Sequence, residues 1–248
     1  MLKDLKLSSF RELLLPAFIG ALNPILLFIA LQFTKASVSP LIYASVPAMT
    51  AVYLLVVRKE KLNFEQKLGV IVGFLGVVLI ILFPFLHKTD ATVFDVVKGN
   101  MLIFLAAITF IAYSITSKQK QRKINASPIS LTFYFSLITF LLSIPFSLYE
   151  LSNKPIDLSI LSMGHVLAII GVGVIGTSLF YFAYQSALKL GSELSASLFT
   201  YLQPVFTAIF AILLLGEIIT PVMIVGGILA VVGSQFASGQ VMLFKKNI

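Results

Sequence analysis

A shift of 157 residues, without a gap, lays residues 187–233 on residues 30–76 and aligns ten identical pairs. They are Ala30/Ala187, Leu31/Leu188, Leu41/Leu198, Pro47/Pro204, Thr50/Thr207, Ala51/Ala208, Glu60/Glu217, Gly69/Gly226, Ile71/Ile228 and Gly76/Gly233. Leucine and alanine coincide easily in an apolar chain. A proline, a threonine, a glutamate and two glycines in register do not, so the chain carries an internal duplication. Two more apolar stretches, near 99–117 and 129–149, precede the second copy, and their counterparts would fall before residue 1. The expectation is an incomplete first repeat of three helices over 1–96 and a complete one of five over 97–248.

Eight stretches approach the ~20 apolar residues that cross a bilayer's hydrocarbon core: about 12–33, 39–57, 67–86, 99–117, 129–149, 162–188, 195–215 and 222–240. With 58% hydrophobic and 11% charged residues and a mean hydropathy of +1.02, a soluble globule could not cover its surface with polar groups. The short alternating segments of a membrane β-barrel are missing from the pattern. The expected fold class is therefore all-α, a polytopic transmembrane helical bundle with eight spans. A full repeat of five helices is odd, so the second copy should run upside down relative to the first, as an inverted repeat.

Basic residues assign an orientation. Fourteen Lys and Arg fall on the amino-terminal side of the membrane and four (Lys35, Lys88, Lys98, Lys154) on the other, which puts both termini in the cytoplasm and the protein in the cell membrane. The net charge of +8 resides in short loops between apolar spans, the densest run being a loop at Lys118–Lys123, so it reads as solvated flanks that favour anionic lipid and not as a nucleic-acid surface. Cysteine is absent, which removes disulfide and thiolate chemistry. No cleavable signal is expected, since the charged residues 1–11 lead directly into a full-length span.

Inverted repeats are the usual construction of secondary transporters, because two antiparallel halves can exchange conformations and open a shared cavity to each side in turn. The equivalent prolines mark where a cavity could lie. Pro47 and Pro204 stand about midway along 39–57 and 195–215, where each lacks an amide and should kink or break its helix. Polar residues gather nearby: Asn23, Gln32, Tyr43, Ser45, Thr50 and Tyr53 in the first copy, and Tyr181, Tyr184, Gln185, Thr200, Tyr201, Gln203 and Thr207 in the second. The expected substrate-binding set is Tyr43, Pro47, Thr50, Tyr181, Gln185, Tyr201, Gln203 and Pro204. No Asp, Glu, Lys or Arg stands near the centre of a span, so the substrate should be neutral, zwitterionic or lipophilic.

Other patterns read as structural. Glu60 and Glu217 each stand three residues before an N-cap, Asn63 or Thr220, and should fix a tight turn at the positive end of the following helix. Gly171-Val172-Gly173-Val174-Ile175-Gly176 matches a dinucleotide fingerprint but lies in an apolar span, so it reads as close helix packing, as does Gly69-xxx-Gly73. Ser186 and Lys189 have the spacing of a serine/lysine dyad without its companions. His87 and His165 are isolated, so no metal site or other cofactor is expected. Asn125-Ala126-Ser127 fits a glycosylation acceptor on the predicted cytoplasmic side. No catalytic constellation emerges, and an enzyme is not expected.

The run Ala30-Leu31-Gln32-Phe33-Thr34-Lys35-Ala36-Ser37-Val38, with Pro47 and Glu60 after it, resembles the third to fifth helices of the EamA-like branch of the drug/metabolite transporter superfamily. Tyr181 to Leu188, Gln203-Pro204, Leu213 to Glu217 and Gly226 to Gly233 resemble its second half more closely. The resemblance implies ten helices in two inverted halves, with this chain supplying helices three to ten, and transport of a small metabolite, amino acid or drug through a central cavity. It also implies that a partner chain, a second copy or lipid replaces the two missing helices. Two function classes follow: a small-solute permease working by alternating access, or a truncated non-transporting remnant or accessory membrane subunit.

Overall fold

The computed structural model describes residues 7–83, 91–153, 161–196, 200 and 203–239, and among them all regular structure is helical. The helices are α1 (Leu7–Ala30), α2 (Val38–Tyr43), α3 (Val46–Val56), α4 (Phe64–Leu82), α5 (Ala91–Lys123), α6 (Pro128–Asn153), α7 (Met163–Gly171), a π-helical stretch (Val172–Leu179), α8 (Phe180–Leu190), α9 (Glu193–Ala196), α10 (Gln203–Leu215) and α11 (Pro221–Ala237). Among the described residues six segments are long and apolar enough to cross a membrane, and the two shorter apolar helices, α10 and α11, fall on the remaining two expected spans. The chain is a polytopic helical membrane bundle.

Its helices form two compact units: residues 1–25 with 112–192, and residues 26–111 with 193–248. In the second unit α4 and α11 pack antiparallel along a glycine seam. A Cβ placed on Gly69 would lie 2.6 Å from the Gly233 carbonyl oxygen, and one on Gly76 would lie 2.5 Å from the Gly226 carbonyl oxygen. Gly226 and Gly233 are the repeat equivalents of Gly69 and Gly76. Exchanging every residue for its equivalent therefore turns the first contact into the second, and both are present. The seam has the two-fold symmetry of an inverted repeat, and its closeness gives the dispersion contacts that hold helices together where lipid removes any hydrophobic drive.

Local chemistry repeats as well. Asn63 caps α4 by accepting from the Gln66 amide at 2.7 Å, and Thr220 caps α11 by accepting from the Met223 amide at 3.3 Å. Before each cap comes one left-handed residue, Lys59 (φ 56°) and its equivalent Gly216 (φ 63°). The next amide, of Glu60 or Glu217, then reaches back six residues to the Leu54 or Ala211 carbonyl at 3.0 and 3.1 Å. The left-handed residue folds the chain back over the end of the helix, and the bond fixes the same wide turn in both copies.

In the first unit α1 lays Leu13, Ala17 and Ala21 against Leu131, Tyr134 and Ile138 of α6. It stays helical through Pro16 and Pro24. Two expectations change here. Lys118–Lys123 is not a loop but the last turns of α5, and Lys118 is 5% exposed. Its ammonium donates to the carbonyls of Leu188 and, at 2.6 Å, Gly191, at the carboxyl end of α8. Carbonyls left over at a helix terminus and a cation attracted to the negative end of its dipole satisfy each other.

The close-packing reading of Gly171, Gly173 and Gly176 is also overturned. Among the described residues, a Cβ on Gly171 or Gly173 meets nothing within 4 Å, and one on Gly176 meets only the Gly171 carbonyl oxygen, at 3.9 Å. The backbone instead widens into a π-helix, in which Thr177 and Ser178 donate to the carbonyls five residues back, Val172 and Gly173, at 2.9 and 3.0 Å. Glycine spacing permits close approach but does not supply the neighbour.

Candidate functional site

The symmetric prolines start helices. α2 stops at Tyr43, Ala44 and Ser45 turn the chain, and Pro47 occupies the first turn of α3, where its missing amide has no helical partner to lose. Pro204 likewise occupies the first turn of α10, with Thr200 in a 3₁₀ turn before it. The break at Pro47 is served by its own hydroxyls: Ser45 donates to the Ile42 carbonyl at 2.7 Å and Thr50 to the Val46 carbonyl at 2.8 Å. Thr50 therefore offers a ligand only its lone pairs. Tyr43 is buried and its ring lies 6.1 Å from that of Phe110.

Within this second unit two cavities border the same elements. One, of about 320 Å³, is apolar and lies among α2, α10 and α11, with Pro204, Leu41, Met223 and Gly227 in its wall. The other, of about 400 Å³, is lined by Gln32, Thr34, Lys35, Ile80, Asn100 and Thr220 among others. Thr34 donates to the Asn100 amide oxygen at 2.7 Å, and the Asn100 nitrogen donates to the Ile80 carbonyl at 3.4 Å. Neither cavity is lined by Tyr43, Pro47 or Thr50. Gln203 begins α10 with its Oε1 buried and without a hydrogen-bond partner. Tyr201 lies outside the described residues, as does His87.

Tyr181 and Gln185 belong to the first unit, in a buried polar core that sequence reasoning only half anticipated. Tyr181 donates to the Asn23 side-chain oxygen at 2.9 Å and stacks on Phe135 with ring centroids 3.9 Å apart. Tyr184 donates to the Ser114 hydroxyl at 2.7 Å. Gln121 donates to both the backbone carbonyl and the side-chain oxygen of Gln185, each at 2.9 Å. Four atoms of this core make no well-formed hydrogen bond, namely the Tyr113 hydroxyl, the Ser117 hydroxyl, Gln121 Oε1 and Gln185 Nε2, and the Tyr113 hydroxyl lies near enough to Gln185 and Ser117 to interact with both. All four residues are at least 94% buried, with relative exposures of 0, 0, 6 and 0%.

Tyr113, Ser117 and Gln121 are four residues apart on α5, while Tyr181, Gln185 and Leu188 are four and three apart on α8, so each set forms one stripe on its helix. The α5 stripe was missed because the basic run after Ser117 reads as the end of a span. Its signal, three polar residues at period four, was there to be found. An amide or hydroxyl without a partner in an apolar medium costs about 2–7 kcal/mol, and bilayer offers no substitute. Four such atoms in one core, donors and acceptors together, can serve water or the polar end of a small molecule. Lys118 is not part of that offer, because its ammonium is committed to backbone carbonyls.

Residues 1–82 and 97–239 match the EamA-like transporter family. The chain belongs to that family. Among its relatives are the Uncharacterized transporter YdfC of Bacillus subtilis (strain 168), 28% identical over 237 residues, with 95% of this chain and 72% of the relative covered. The Uncharacterized transporter YyaM of the same organism is 27% identical over 222 residues, covering 90% of this chain and 70% of its own length. An Uncharacterized transporter of Clostridium kluyveri is 24% identical over 212 residues and is covered over 64% of its length. One solved crystal structure of a protein, 17% identical, superposes with a TM-score of 0.60 over 90% of this chain and 74% of its own, which shows a shared fold. As an EamA-like transporter the chain is a multi-pass membrane protein whose substrates are small molecules, and the buried polar atoms belong to a bilayer-embedded bundle.

Proposed function

We propose that this EamA-like chain is a permease that moves a small neutral, zwitterionic or lipophilic metabolite, amino-acid-like or drug-like, across the cell membrane by alternating access. The observation that carries the reading is the buried polar core around Gln185, Gln121, Tyr113 and Ser117, whose polar atoms are incompletely hydrogen-bonded. It supplies an amide N–H, an amide oxygen and two hydroxyls, with aromatic faces from Tyr181 and Phe135 beside them. That chemistry suits a polar end with both donors and acceptors on a partly apolar body. Tyr43, Pro47, Thr50, Gln203, Pro204 and Tyr201 are proposed as substrate contacts on the strength of the repeat. The halves 1–96 and 97–248 are proposed as the units duplicated, and association with a second copy or a partner chain remains part of the proposal. Both termini are taken as cytoplasmic on the 14 to 4 charge split.

The test is thermal stabilisation of the purified protein by the proteinogenic amino acids and by uncharged amphipathic drugs, repeated with Gln185→Leu and Tyr181→Phe. Stabilisation by one of these classes that weakens in both variants supports the reading. No stabilisation by any compound, or stabilisation unchanged in both variants, overturns it. A cysteine at exposed Arg122, in a chain without native cysteine, should react with an impermeant reagent only after cells are opened. Reaction in intact cells would reverse the orientation.

A further inference from the structure

We infer that Glu217 and Glu60 are alternating caps, each carboxylate holding the start of a neighbouring helix at one end of the α4–α11 pair, and that they are engaged one at a time. The inference rests on the alternating-access reading above and adds the residues that fix which state is occupied.

Glu217 is half-buried and accepts from the amides of Ala36 at 3.0 Å and Ser37 at 3.2 Å and from the Ser37 hydroxyl, at the start of α2. Beside it Lys35 donates to the Ile218 carbonyl at 3.2 Å. These contacts tie the loop before α2 to the turn before α11, which is a different duty from the one read in the sequence. The glutamate's own amide completes the turn, while its carboxylate reaches into the other repeat.

Exchanging repeat equivalents turns Glu217 into Glu60 and Ala36 and Ser37 into Glu193 and Leu194, at the start of α9. That exchange is obeyed by the glycine seam and by the paired turns at Lys59 and Gly216. The carboxylates do not obey it. Glu60 is exposed, and its only hydrogen bond among the described residues is the backbone one to Leu54. Because α4 and α11 are antiparallel, the two glutamates lie at opposite ends of the pair. In a chain of inverted repeats the second state is the first with the repeats' roles exchanged. Glu60 then takes the amides of residues 193 and 194, and Glu217 lets go. Leucine at 194 offers no hydroxyl where Ser37 does, so the Glu60 cap has one donor fewer and the Glu217-engaged state is favoured.

The experiment measures the reaction rate of single cysteines, Ala36→Cys or Glu193→Cys, with an impermeant thiol reagent in the purified full chain. Glu217→Gln should speed labelling at 36 and slow it at 193, each by about tenfold if the lost bonds bias the equilibrium by about 1.4 kcal/mol. Glu60→Gln should slow labelling at 36, and Ser37→Ala should act like Glu217→Gln but more weakly. These two variants keep the test available if Glu217→Gln fails to fold. Faster labelling at 36 with no slowing at 193, or no effect of Glu60→Gln at 36, overturns the inference and leaves Glu217 a local cap. Reciprocal labelling in a protein that no solute stabilises would keep the caps and sink the permease reading. Solute stabilisation without reciprocity would do the reverse.

Discussion

Adding one methyl group to the glycine seam should be among the most damaging small changes this chain can suffer. A Cβ on Gly233 would lie 2.2 Å from the Gly73 nitrogen, 2.6 Å from the Gly73 Cα and 2.7 Å from the Gly69 carbonyl oxygen. The obstacles are backbone atoms on a helix, so no rotamer change relieves them. Ordinary contact begins near the 3.4 Å that separates a Gly73 Cβ from that of Ala48, and reaching it requires α4 and α11 to part by roughly 1 Å. A gap of that size forfeits about a quarter to a half of each dispersion contact along the seam. Overpacking typically costs about 1–3 kcal/mol, and a rigid backbone obstacle puts Gly233→Ala at about 3 kcal/mol or more. For a chain of this length that corresponds to a fall in Tm of roughly 6–12 °C. The assay is the fraction of monodisperse protein surviving heating in detergent, read by size exclusion. Gly73→Ala is the control, since its Cβ meets only Ala48 and Ser234 at 3.4–3.5 Å. A Gly233→Ala variant melting within about 2 °C of the parent, or no lower than Gly73→Ala, would refute the seam as described.

Lys118→Met keeps the length of the side chain but strands the carbonyls of Leu188 and Gly191, and hydrogen bonds to a charged group contribute about 1.5–3 kcal/mol, so the same assay should show a loss of several degrees. Lys59→Gly should raise Tm slightly, because a non-glycine residue in the left-handed region costs about 1–2 kcal/mol, whereas Gly216→Ala should lower it; equal signs for the two would disprove the shared turn. Tyr113→Phe removes a buried hydroxyl whose contacts with Gln185 and Ser117 fall short of well-formed hydrogen bonds, so it should change ligand-free stability little, while any solute stabilisation shrinks; a clear loss of ligand-free stability would mean the hydroxyl is structurally bonded.

What the sequence discloses depends on whether a feature is local. Span positions follow from apolar length, and the stops and caps at Pro47, Asn63, Thr220 and Gly216 follow from side-chain or backbone chemistry acting within one turn. Lys59 gives no hint of its left-handed backbone on its own, and only its register with Gly216 reveals it. Long-range partners were the harder part. Lys118 looked like a solvated flank because nothing nearby in sequence shows that the carbonyl end of α8 lies within its reach. Tyr113, Ser117 and Gln121 were hidden by the same basic run. Glu217 was assigned to its own turn, since Ala36 and Ser37 are about 180 residues away. The glycines at 171, 173 and 176 show the converse error, in which a packing motif was credited with a partner that the fold does not bring to it.

The seam also explains which repeat identities survived divergence. When two copies of a helix pack antiparallel about a two-fold axis, a position on the seam faces the equivalent of another seam position, so one residue's size limits both copies. Gly69 faces Gly233, the equivalent of Gly76, and Gly76 faces Gly226, the equivalent of Gly69. Each glycine is therefore held in place twice, once by its own neighbour and once by the same geometry seen from the other helix. Gly73 is the position between them, and its equivalent is Ala230. There the constraint is looser in both copies: a Cβ on Gly73 meets ordinary contacts, and Ala230 already carries one with no measurable exposure. Both copies keep glycine where an added Cβ would strike backbone, while one copy carries alanine at the position between, which is the pattern expected if close packing and not ligand contact preserved these residues.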